Sequence, residues 1–163
     1  MNASAPRKDS DLSLTPPPPM GRVFTLESEL TPDQRSYLYH YGYLHFRGVL
    51  TLEEVEMVKR IQDELQARWI EEGIREIRGV PLFFGPGLNG EPVIYRLPFS
   101  SEFSSELRDL LDDPRFDPIK SLVGDDVRIG HVEQDGVILN KYVNGPESIH
   151  PRLGWHTDRK SVV

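Results

Sequence analysis

The sequence predicts an α+β fold in which helices come first and antiparallel strands begin late, as in the opening part of a double-sheet barrel. Three observations carry the prediction. Two segments in the first half open with helix-capping residues, and the second continues with apolar positions at helical spacing. Strand-like runs flanking an Asp-Gly turn appear only from residue 127 onward. One further strand just begins before residue 163, which leaves the expected sheet with an unpaired outer edge.

Residues 1–22 are polar and include four prolines at 16–19, so they read as a disordered arm with a short polyproline stretch. Thr31-Pro32-Asp33-Gln34 places a hydroxyl at N-cap, proline at N1 and glutamine at N3. The helix it opens should pass through Tyr37, Tyr39 and Tyr41 and stop at Gly42, and residues 43–47 read as a short strand. Thr51-Leu52-Glu53-Glu54 repeats the capping device. Val55, Val58, Ile61, Leu65 and Trp69 then recur every three or four residues, which lines one helical face, and Gly73 supplies the stop.

Glycines at 73, 79, 85, 87 and 90 and prolines at 81, 86, 92 and 98 break up the next stretch, leaving 82–84 and 93–97 as short strands. Its Gly-Pro-Gly-Leu-Asn-Gly run is no phosphate loop, because no Lys-Ser/Thr follows. Residues 104–111 and 114–123 read as two short helices, the second capped by Asp113-Pro114 and stopped by Gly124. Strands are expected over 127–133 and 137–143, joined by Gln134-Asp135-Gly136 as a hairpin.

The composition excludes several classes of function. With no cysteine, disulfides, thiolate zinc sites, iron–sulfur clusters and a cysteine nucleophile are all ruled out. A net charge of −7 without a local Lys/Arg cluster speaks against nucleic acid and anionic membranes as partners. No apolar run approaches the roughly 18 residues of a membrane span, and the N-terminus lacks a secretory signal's apolar stretch. The expected location is therefore cytoplasmic. Oligomeric state is not legible.

The candidate site is His156-Thr157-Asp158. On an extended segment residues i and i+2 point to the same face, so imidazole and carboxylate converge as two cis metal ligands while Trp155 and Thr157 face away. A neutral nitrogen with a hard oxygen suits Fe(II), with a third ligand from elsewhere completing a facial triad. Five His and twelve Asp would produce such a pair by chance about one time in three, so its weight comes from context.

That context is a family. Ile138-Leu139-Asn140-Lys141, a Gly/Pro loop, then Trp155-His156-Thr157-Asp158 resembles the phytanoyl-CoA dioxygenase family. Tyr41-Gly42-Tyr43-Leu44, Gly48-Val49-Leu50-Thr51 and Leu122-Val123-Gly124-Asp125-Asp126-Val127 fall in the family's order, so the resemblance spans residues 24–158. It implies a double-stranded β-helix (jelly-roll) core with helices outside, of which residues 23–163 would be the N-terminal portion. It also implies Fe(II), 2-oxoglutarate as co-substrate, and hydroxylation of a small organic substrate. His156 and Asp158 would be metal ligands, Lys141 or Asn140 would lie near 2-oxoglutarate, and Trp155 would wall the substrate pocket. The alternatives are a solvated Lys141 and a Trp155 that is ordinary core.

The family's distal His, and the Arg about ten residues beyond it, would lie past Asp158. Five residues follow Asp158, and Arg159 is too near the pair to serve as that Arg. The expectation is a chain cut before its last strands and inactive in this form, with His150 or His131 as less favoured third ligands and no catalytic side chain assigned. The competing expectations are a non-catalytic jelly-roll binding or structural protein and a cupin-like metal protein.

Overall fold

The structure is a computed structural model and describes residues 19–124 and 126–143. It is α+β: helices with small antiparallel ladders and, among the described residues, no closed barrel. Two compact units divide it. The first holds residues 19–57 and 109–129, the second 58–108 and 130–143.

In the first unit, helix α1 (Pro32–Tyr41) begins as the sequence requires. Thr31 Oγ1 accepts from the Gln34 N–H at 3.2 Å, and Gln34 Oε1 accepts from the Thr31 N–H at 2.8 Å. The amide nitrogen of Gln34 donates to Thr25 O, so both the oxygen and the nitrogen of this 97% buried side chain are engaged. Gly42 ends the helix at φ 75°, a conformation that costs glycine nothing. Tyr37 is fully buried at the centre of an aromatic group. Phe24, Tyr41 and Tyr43 pack on it with ring centroids 5.2, 4.6 and 5.4 Å away. Gly21 N–H donates to the Tyr37 hydroxyl, and Arg22 pairs with Asp33, so ordered contacts already begin inside the expected arm. Residues 1–18 lie outside the described residues.

The strand expected over 43–47 is only one bridge, Phe24 to Phe46. Phe24 uses both backbone groups on it, donating to His45 O and accepting from Arg47 N–H. Bends on either side leave no second rung. The helix expected over 114–123 is likewise broken, into a 3-10 turn at Pro114–Phe116 and helix α4 (Asp117–Lys120). Pro118 has no N–H to give the Pro114 carbonyl, so a continuous ladder cannot form there.

Helix α2 (Leu52–Glu71) carries the second capping box, with Thr51 and Glu54 exchanging backbone-to-side-chain bonds at 2.8 and 3.2 Å. Within the second unit its buried face is Ile61, Leu65 and Trp69, a one-per-turn stripe. It ends in a Schellman turn, with Ile74 N–H on Trp69 O and Gly73 N–H on Ile70 O. Val55, expected on the same face, is exposed.

The strands of the second unit are shorter and differently placed than expected. Strands β1 (Glu76–Ile77) and β2 (Val80–Pro81) close over Arg78-Gly79, both at positive φ (50° and 80°), as a two-residue hairpin demands. Strands β3 (Phe84–Pro86) and β4 (Pro92–Ile94) form a second hairpin, with the Gly-Pro-Gly-Leu-Asn-Gly run at its tip. Gln66 of α2 accepts the Ile94 N–H. Strand β5 (Arg96–Leu97) pairs antiparallel with β6 (Leu139–Asn140).

That last pairing overturns the predicted 127–133/137–143 hairpin. The Gln134-Asp135-Gly136 turn does form, with Gly136 N–H on Glu133 O, but the residues after it lie along β5. Phe99 and Ser100 N–H take the Asp135 and Val137 carbonyls, and Lys141 N–H takes Tyr95 O. Residues 127–133 form no strand, and Val127 and Val132 are 38% and 44% exposed. The Asp-Gly signal located the turn correctly and the partner wrongly. Strand pairing depends on buried surface, which Val93, Ile94 and Leu97 supply at no more than 2% exposure.

Candidate functional site

Trp155, His156 and Asp158 lie outside the described residues, as does His150. Among the described residues, no three His, Asp or Glu side chains stand together as a metal site. What is described is the strand that leads toward the pair.

Strand β6 presents Asn140 opposite Arg96 of β5, with Asn140 exposed. Lys141 follows, and its ammonium lies 2.9 Å from Asp63 Oδ1 on α2. Its side chain is 29% exposed against 53% for Asp63. Lys141 thus ties the strand to the helix. The pair joins residues 78 apart in sequence, and no local pattern announces it.

The C-terminal end of β5 gathers further polar groups. Arg96 pairs with Asp135 at 2.8 Å, while its Nε is buried without a partner among the described residues. Ser101 Oγ lies 2.7 Å from His131 Nδ1, so the one described candidate among the alternative third ligands has a ring nitrogen engaged by a hydroxyl. Ser101 is 99% buried, in the 3-10 turn Ser100–Glu102. Arg78 forms a bidentate pair with Glu102, whose carboxyl it holds below the usual range. The Arg78 guanidinium also covers the Phe99 ring at 5.6 Å. Phe99 itself sits at φ 56°, unusual for a bulky residue. Its buried ring and two backbone hydrogen bonds hold it there.

In the first unit, Arg115 bridges Glu54 (2.6 Å) and Asp113 (2.9 Å). It keeps both carboxyls below their ordinary range, chiefly by hydrogen bonding. This arrangement is structural: it fastens the capped start of α2 to the turn before the Pro114–Phe116 segment.

No family model, curated protein or solved structure matches this chain.

Proposed function

We propose that this chain is part of a non-haem Fe(II)- and 2-oxoglutarate-dependent oxygenase of the phytanoyl-CoA dioxygenase type, built on a jelly-roll core and acting on a small organic substrate. The observation that carries the reading is the ordered set Leu139-Asn140-Lys141 followed by Trp155-His156-Thr157-Asp158. A strand at Leu139–Asn140, hydrogen-bonded into a sheet, is the support the fold adds.

The donor chemistry fits the metal. One imidazole and one carboxylate two residues apart suit a divalent ion that accepts nitrogen and hard oxygen together. Fe(II) with 2-oxoglutarate, when bound, supplies the oxidising power for an unactivated C–H bond. The chain's own part is to hold and orient. His156 and Asp158 would grip the ion, and Lys141 would meet a carboxylate of the co-substrate by leaving Asp63. Trp155 would exclude water beside the substrate. Two protein ligands hold a metal loosely, so weak binding is expected from these 163 residues.

The test is calorimetry with Mn(II) as a redox-silent surrogate on the full chain. Weak binding that His156→Ala or Asp158→Ala abolishes is expected. Affinity untouched by either substitution removes the site. As an independent check, Asp63→Asn should raise 2-oxoglutarate affinity if Lys141 serves it, and leave it unchanged if Lys141 only fastens the strand.

A further inference from the structure

A cavity of about 320 Å³ opens beside α2, where the chain passes from the Ser100–Glu102 turn into helix α3 (Ser105–Leu111). That volume falls at the lower end of the range for small-molecule sites. Ile61 and Leu65 lie beneath it, almost wholly buried at 3% and 4% exposure, and its accessible apolar surface is the Phe103 ring, which is 40% exposed. The ring is not free to fold away, because Trp69 packs edge-on against it at 5.4 Å and 80°.

The charged groups around this cavity are unevenly paired. Glu64 and Glu106 both line it, and Arg60 engages both, at 3.3 Å and as a bidentate pair at 2.9 Å. Arg68 also lines it, with its guanidinium 5.6 Å from the Phe103 centroid and no carboxylate partner among the described residues. An arginine lying over an aromatic face keeps its N–H fork directed outward in the plane of the group, where a carboxylate can be met by two parallel bonds. Ser105 brings a hydroxyl to the same rim.

From this geometry we infer that the cavity binds a small monocarboxylate with an apolar or aromatic body. The body lies against the Phe103 ring, and the carboxylate meets Arg68. The four charges sum to zero, so the preference for an anion rests on Arg68, the one of them with no carboxylate partner among the described residues, while Glu64 and Glu106 both contact Arg60. The site is independent of the metal reading, because it shares no residue with it.

The experiment is a titration of the uniformly ¹⁵N-labelled 163-residue chain with benzoate, and in parallel with benzylamine, followed by amide and Arg Nε resonances. Saturable benzoate shifts at Ile61, Leu65, Phe103 and Arg68 are expected, with no corresponding response to benzylamine. Arg68→Gln should weaken benzoate binding about tenfold, the effect of losing a charged hydrogen-bonding partner. Arg68→Lys, which keeps the charge and loses the fork, should fall between. Arg68 is exposed, so its variants should retain the parent spectrum outside the cavity. Benzylamine binding there as strongly as benzoate, benzoate shifts mapping elsewhere or absent, or an Arg68→Gln variant of unchanged affinity would each overturn the assignment.

Discussion

Replacing Gly136 with alanine tests how the turn before β6 is held. Gly136 sits at φ 60°, and a Cβ there would lie 2.6 Å from the His131 carbonyl oxygen, 2.6 Å from Phe99 Cδ1 and 3.0 Å from Phe99 Cα. Two of these three atoms are backbone, and the third belongs to a ring only 2% exposed, so nothing can swing aside cheaply. The left-handed conformation alone costs a non-glycine residue about 1–2 kcal/mol. Forced overpacking adds about 1–3 kcal/mol, for a total of about 2–5 kcal/mol.

Gly73 is the internal control. It lies in the same unit at φ 67°, with nothing within 4 Å of its would-be Cβ. Gly73→Ala should therefore cost the conformational part only, about 1–2 kcal/mol. The assay is urea denaturation followed by tryptophan fluorescence, comparing midpoints at unchanged slope. A Gly136→Ala cost equal to or below that of Gly73→Ala would refute the reasoning, because it would mean the turn does not press on Phe99.

Removal of either N-cap hydroxyl, by Thr31→Ala or Thr51→Ala, should cost about 1 kcal/mol in the same assay, and an unchanged midpoint would count against the capping boxes. A double-mutant cycle on Asp63→Asn and Lys141→Met should give a coupling of about 0.2–1 kcal/mol that shrinks in high salt; zero coupling at low salt would show that the pair does not fasten β6 to α2. Glu54 and Asp113 have folded pKa values below their ordinary 4.5 and 3.8, so the stability they contribute is present above those values and lost as pH falls through the depressed ones. The stability gap between wild type and Glu54→Gln should accordingly close on acidification below about pH 4, and a gap that stays constant or widens would contradict the Arg115 contacts. Leu65→Ala, at a 4% exposed position on α2, should lose about 2–5 kcal/mol.

The helices were legible because their causes are local. Thr31 with Gln34, Thr51 with Glu54, and the stops at Gly42 and Gly73 act within five residues, and each appears in the structure where the sequence placed it. The stripe of Ile61, Leu65 and Trp69 was equally readable, since one face of a helix is a fixed period. Proline did more than the reading of 114–123 allowed, because the missing N–H of Pro118 breaks a ladder that apolar spacing alone would continue. In the proposed site, His156-Thr157-Asp158 is visible as a pattern of residue types and comes from the sequence alone, while the jelly-roll core remains part of the proposal.

Partner choice was not legible. Asp-Gly announced a turn, but whether residues 137–141 would pair with what precedes the turn or with β5 depended on where Phe99, Leu97 and Ile94 were already buried. Lys141 could be read as a co-substrate cation or a solvated lysine, and neither reading contained Asp63, which lies 78 residues away. Turns and caps depend on the few residues that make them, so the sequence determines them outright. A strand's neighbour and an ion's partner are set by which distant surfaces exclude water together, and only the tertiary structure decides that.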